Sequence, residues 1–158
     1  MTASPDATLK TRLHDDLTAA IKSRDELRTA TLRMVLAAVT NEEVAGKQAR
    51  ELSDDEVLRV LAREAKKRRE AAEAFTSGNR PELAERERAE GAVIDGYLPK
   101  QLDDEELRTL VASAIEESGA SGPQAMGAVM KVATAKVAGR AEGGRVAAEV
   151  KRQLAASS

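Results

Sequence analysis

Apolar positions recur along this chain at helical spacing, and no stretch shows the alternation of two that a half-buried strand needs. Leu9, Leu13, Leu17, Ala20 and Arg24 share a face of a first predicted helix, which ends at Lys22-Ser23-Arg24-Asp25. A second runs from about Glu26 to Val44 and ends at Gly46. Its stretch from Thr31 to Val39 is apolar almost all round, with Arg33 the one charge, which predicts a central, buried helix. Ser53-Asp54-Asp55-Glu56 reads as a capping box, in which Ser53 accepts from an orphan amide while Glu56 reaches back. It opens a third helix that runs to about Thr76 and is ended by Ser77-Gly78-Asn79. Pro81 suits the first turn of a fourth helix, which reaches Tyr97 and stops at Leu98-Pro99. Asp103-Asp104-Glu105-Glu106 starts a fifth, with Leu107, Leu110, Val111, Ala114 and Ile115 on one side. After a turn from Gly119 to Gly122, Pro123 opens a sixth with Met126, Val129, Met130, Ala133 and Val137 inward. Gly139 to Gly144 is a loop, and a short seventh helix presents Val146, Val150 and Leu154 at every fourth position.

The pattern predicts an all-α protein of two helical subdomains: four helices over residues 1–97, then a three-helix bundle over residues 98–158. Glycine use supports a boundary at Leu98-Pro99-Lys100-Gln101, since six of the ten glycines lie in the last 40 residues. Composition agrees. Apolar residues are 42% of 158, but 30 of them are alanine, and Phe75 and Tyr97 are the only aromatics. A chain this thin in large apolar groups is a poor candidate for a sandwich or barrel, which want β-branched and aromatic residues on pleated faces, whereas Ala, Leu, Glu, Arg and Lys are strong helix formers.

Several function classes fall away. The chain has no cysteine, which excludes disulfides, thiolate zinc sites and a cysteine nucleophile. No apolar run approaches the roughly 20 residues of a spanning helix. Met1-Thr2-Ala3-Ser4-Pro5 lacks the charged flank and apolar core of a signal peptide, so a cytoplasmic location without membrane contact is expected. Twenty-five basic residues against 27 acidic leave a net charge of −2, which does not mark the whole chain as a nucleic-acid binder.

Three charges fall on apolar faces. On the third helix Val57, Leu58, Leu61, Ala65, Ala72 and Phe75 form a stripe with Arg68 in its middle. On the fourth, Leu83, Ile94, Tyr97 and Leu98 form the stripe, and Glu87 and Glu90 fall inside it. In an antiparallel hairpin about Gly78, the level partner of Arg68 is near residue 88. An Arg68–Glu87/Glu90 network inside the hairpin follows, because each charge would be costly to bury alone and roughly breaks even when paired. The network either sets the register of the hairpin or lines a groove for a ligand or partner.

The chemical inventory points to binding. Glu87-x-x-Glu90 lacks the Glu-x-x-His partners of a di-iron bundle, and His14 is the only histidine, so neither metal nor cofactor is expected. No activated nucleophile and no phosphate loop is present, so no catalytic residue is assigned. Lys66-Lys67-Arg68-Arg69 is interleaved with Glu64, Glu70 and Glu73 and reads as a solvated face. The compact basic segment is the tail: residues 119–158 carry six cations against Glu142 and Glu149. Its Gly139–Gly144 loop lies between two helices, where free amides could hold an anion.

Read end to end, the chain resembles the GatB/YqeY family in its free-standing small form. The resemblance rests on Arg63-Glu64-Ala65-Lys66-Lys67-Arg68-Arg69-Glu70, Ala74-Phe75, Leu83 through Glu90, and Tyr97-Leu98-Pro99-Lys100-Gln101-Leu102. Thr31-Leu32-Arg33, Asn41-Glu42-Glu43, Met126-Gly127-x-Val129-Met130 and Lys136-Val137-x-Gly139-Arg140-Ala141-Glu142-Gly143 add to it, so that residues 8–154 are covered. Ala125 stands where the family is usually acidic, Ala128 where lysine is common, and Ala135 where a helix proline is usual. The resemblance implies two all-α subdomains. It also implies kinship with the C-terminal part of the GatB subunit of the glutamine-dependent Asp-tRNA/Glu-tRNA amidotransferase, where such modules help hold tRNA. The family label is carbon–nitrogen ligase with glutamine as amido donor, but the catalytic and nucleotide-binding parts have no counterpart in this chain.

The first expectation is therefore a non-catalytic tRNA-binding accessory protein of tRNA amidation or charging. Lys131, Lys136, Arg140, Arg145 and Lys151 would contact phosphates, with Gly139 and Gly143 letting the backbone approach. The second is a protein-interaction module that docks an aminoacyl-tRNA synthetase or amidotransferase without touching RNA. The third is an amidotransferase acting alone.

Overall fold

The helix starts are set by short polar side chains, each closing onto a backbone amide two or three residues on. In the computed structural model, which describes residues 7–156, Thr8 caps α1 (Leu9–Ser23) and Asp25 caps α2 (Glu26–Glu43). Ser53 and Glu56 form the reciprocal capping box of α3 (Asp54–Ser77), and Asp103 caps α5 (Asp104–Ser118) through the Glu106 amide at 2.7 Å. Pro81 opens α4 (Pro81–Asp95). Two shorter helices, α6 (Met126–Val137) and α7 (Gly143–Ala156), complete the chain. Among the described residues there is no strand. The leader reading of Met1-Thr2-Ala3-Ser4-Pro5 lies outside the described residues.

The chain divides between Leu98 and Pro99 into two compact units. In the first, α3 packs along α4 as an antiparallel hairpin, with α1 and α2 beside it. Leu13, Leu32, Val35, Leu36, Val39, Val57, Leu61, Ile94 and Tyr97 form its core. The second unit packs α5, α6 and α7 around Leu107, Val111, Val129, Ala133, Val137, Val146, Val150 and Leu154. No helix among the described residues is long and apolar enough to cross a membrane.

Several expectations need correction. Helix α2 is not buried all round: Thr31, Leu32, Val35, Leu36 and Val39 are buried, but Ala30, Arg33 and Ala37 are exposed. Alanine counts as apolar in a pattern yet has little area to lose to water. Leu83 is 37% exposed; α4 turns the expected Ile94 inward together with Ala84 and Gly91, the small residues letting α3 come close. A Cβ on Gly91 would lie 3.5 Å from that of Arg68, so the level partner is residue 91 rather than 88. The turn that sets this register is centred beyond Gly78, on Asn79, which takes the left-handed conformation at φ 59°. Glu64, read as part of a solvated face, is buried and pairs with Lys67 at 3.1 Å. Pro123 opens a 3-10 turn over Pro123–Ala125, and α6 starts only at Met126. Gly143 and Gly144 belong to the first turn of α7, so the loop before it is shorter than expected.

Candidate functional site

The hairpin of the first unit brings Arg68, Glu87 and Glu90 together. The Arg68 guanidinium has Nε 3.5 Å from Glu87 Oε2 and Nη1 3.5 Å from Glu90 Oε2. Arg68 Nη1 also donates to Met34 Sδ on α2, at 3.0 Å. Nε and Oε2 of the first pair are buried without a hydrogen bond, facing one another just beyond bonding distance. Glu90 is further held by Arg86, whose Nε donates to it at 3.1 Å, and Arg86 reaches Glu26 at 3.6 Å. Two inward carboxylates thus turn to one inward cation. All three side chains are more than four-fifths buried, so the cluster's geometry fits a register device better than a ligand groove.

A second polar knot closes the same unit. The Tyr97 hydroxyl donates to the Asp16 carboxylate and accepts from Arg28 Nη2 at 3.2 Å. Arg12 lies 4.8 Å from the centre of its ring. Burial first, and the bond to Asp16 second, push the Tyr97 phenol up to about 12 from 10.0. Helix periodicity places Tyr97 inward but says nothing of its hydroxyl, so these partners were not foreseen.

In the second unit the cations expected to meet phosphate are not one patch. Ala138 and Gly139 both take positive φ, 49° and 79°, which folds the chain sharply back after α6. That turn carries Arg140 onto the helix end, where its Nε donates to Val137 O at 3.0 Å and its Nη2 to Lys136 O at 2.8 Å. Arg140 therefore satisfies the orphan carbonyls of α6, a capping role helped by the helix dipole. The Leu102 amide donates to Arg140 O at 2.7 Å and fixes the loop to the start of the unit. Lys136 pairs with Glu117 of α5 at 2.7 Å, and Arg145 with Asp104 of α5 at 3.1 Å. Lys131 and Lys151 are exposed. Gly143 lies in a helical turn where a Cβ would meet nothing, so no close approach requires its glycine.

Two clefts lie on opposite flanks of α5. One, of about 570 Å3, has Lys136 and Arg140 facing Asp103, Glu105 and Glu106 across Leu102 and Leu110. The other, of about 360 Å3, is lined by Arg108, Arg145 and Arg152 with Asp104 and Glu149. Lys131 and Lys151 line neither. The second cleft gathers three guanidiniums. Arg152 grips Glu149 with two bonds of 2.7 Å and holds its carboxyl below the usual carboxylate range. The Arg108 side chain donates to the Asp104 carbonyl at 3.4 Å, and the Arg108 carbonyl accepts from Gln153 Nε2 at 2.9 Å. Arg108 was missed because it comes from the acidic fifth helix, where a count of charge by segment hides it. The cleft offers directed donors for an anion; among the described residues, no group of three histidine, cysteine, aspartate or glutamate side chains could hold a metal.

Residues 10–154 match the family model described as Yqey-like protein. A protein of Pyrenophora tritici-repentis named Altered inheritance of mitochondria protein 41, mitochondrial, is 30% identical over 135 residues, covering 82% of this chain and 73% of its own length. Its namesake in Meyerozyma guilliermondii is 33% identical over 96 residues, or 61% of this chain and 49% of that protein. The namesake in Lachancea thermotolerans is 28% identical over 113 residues, or 70% and 60%. The matched part thus spans between about half and three quarters of these curated relatives.

Proposed function

This chain belongs to the family of YqeY-like proteins, and we propose that it is a non-catalytic accessory protein of tRNA charging or amidation whose second unit holds RNA by its phosphates. The reading is supported above all by the α5–α7 cleft with Arg108, Arg145 and Arg152. It moves the contact away from Lys136 and Arg140, which are committed to Glu117 and to the end of α6. Phosphate oxygens would compete with Asp104 and Glu149 for the same planar forks, so binding is an exchange of partners and its net gain is modest. Neither aromatic lies in this unit, which leaves base stacking without a platform there.

Three neutralised phosphates give a logarithmic salt slope of roughly −2 to −3. A gel-shift titration of the full chain with total tRNA in low salt tests this. Binding is expected, about tenfold or more weaker in Arg108→Glu/Arg145→Glu. No shift at micromolar protein, or a shift indifferent to the double charge reversal, overturns it.

A second reading has its own support. Three of the eight cations of the second unit, Lys136, Arg145 and Arg152, are paired with its own acids, and the cleft beside Lys136 presents three carboxylates around Leu102 and Leu110. Such mixed surfaces suit a protein partner, here a synthetase or amidotransferase. Retention of that enzyme in a pull-down after nuclease treatment favours docking over RNA binding.

A further inference from the structure

Helix α7 lines the α5–α7 cleft with Arg145, Glu149 and Arg152, which stand on one face at intervals of four and three residues. Helix α5 supplies Asp104 and Arg108. Three guanidiniums and two carboxylates thus share about 360 Å3, and the two carboxylates are held very differently. Asp104 is 90% exposed and meets Arg145 through one 3.1 Å bond. A pair so open to water is worth little, and Asp104 swings away at small cost. Glu149 is only 10% exposed. Arg152 donates to both of its oxygens, through Nε and Nη2 at 2.7 Å each, and Gln153 Nε2 adds a 3.4 Å bond. The same Gln153 amide donates to the Arg108 carbonyl at 2.9 Å, which ties this part of α7 to α5.

A carboxylate and a phosphodiester present the same pair of oxygens to a guanidinium fork. Glu149 therefore stands where one phosphate would stand, with the donors already closed round it. The three cations are not equally ready for RNA. Arg108 has no carboxylate partner among the described residues, so a phosphate meets it without displacing one. A phosphate at Arg145 displaces an exposed carboxylate. A phosphate on the Nε–Nη2 edge of Arg152 must expel a nine-tenths buried carboxylate bonded through both oxygens.

We propose that Glu149 is an autoinhibitory residue of this cleft: its carboxylate fills one of three phosphate seats and keeps the affinity for RNA below what the three guanidiniums would give. This rests on the phosphate reading of the cleft. The test compares gel-shift titrations of full-length variants with total tRNA in the same low salt. Glu149→Gln keeps the shape and removes the charge, and Glu149→Ala empties the seat. Both are expected to bind roughly fivefold or more tighter than the unmodified chain. Glu116→Gln removes an equal charge from an exposed position of α5 outside the cleft, and should change affinity by less than about twofold. Adding Arg152→Gln to Glu149→Gln should abolish the gain, since the freed guanidinium is its source. Unchanged or weaker binding in both Glu149 variants overturns the proposal, because Glu149 would then orient Arg152 rather than block it. So does an equal gain from Glu116→Gln, or a gain that survives without Arg152. These outcomes leave the phosphate reading standing as long as Arg108→Glu/Arg145→Glu still weakens binding. Indifference to that double reversal removes the reading, and the role of Glu149 with it.

Discussion

Tyr97 is a spectroscopic reporter that the fold has placed at a junction of three helices. It is the one tyrosine and the chain has no tryptophan, so phenolate absorbance reads this side chain alone. Its hydroxyl is buried between the Asp16 carboxylate and Arg28, and deprotonation would set a second negative charge against Asp16. The folded phenol therefore titrates near 12, against 10.0 for a free one. A raised pKa means that stability from the neutral phenol is complete below pH 10 and is lost as pH rises through about 12. An absorbance titration of the native chain should show a midpoint near 12, falling to about 10 in denaturant. A native midpoint at 10 would mean that the hydroxyl is not held as described.

Among the elements, the α3–α4 hairpin shows both how far periodicity reaches and where it stops. Charges on an apolar stripe are legible because they contradict it, and Arg68, Glu87 and Glu90 could be named from that contradiction. The one-turn error in register was not legible, because it depends on Asn79 taking φ 59° and on Gly91 letting the backbones close. Leu83 misled for the same reason: hydropathy ranks leucine above glycine and alanine, whereas close helix packing selects the small residues. The basic tail misled differently. Charge summed by segment carries neither direction nor partner, and the acids that bind Lys136 and Arg145 come from α5, in another stretch of sequence. Removing the central cation of the hairpin should be costly. Arg68→Ala leaves Glu87 and Glu90 facing each other with Arg86 alone nearby, and a loss of about 2–4 kcal/mol is expected, below the full buried-pair penalty because the side chain is 19% exposed. Chemical denaturation checks it. A loss under about 1 kcal/mol would make the cluster an ordinary surface pair.

For the molecule as a whole, the consequence of so much alanine is two cores of unequal depth. The first unit buries Leu13, Leu32, Leu61, Ile94 and Tyr97; the second relies on Leu102, Leu107 and Leu154 with valines and Ala114, Ala125 and Ala133. A unit of about 60 residues has roughly 3–9 kcal/mol of stability to begin with. Leu154 is 1% exposed at the last turn of α7, and truncation to alanine should cost about 2–5 kcal/mol, more if the site cannot collapse. Leu154→Ala should therefore bring the second unit to the edge of unfolding. Hydrogen exchange resolves the outcome by residue: amides of α5, α6 and α7 are expected to lose protection, while those around Leu32, Leu61 and Tyr97 keep theirs, because that core contains no atom of Leu154. Parallel loss of protection across residues 7–98 would mean that the two cores melt as one, and that stability in this chain is shared across the Leu98–Pro99 boundary.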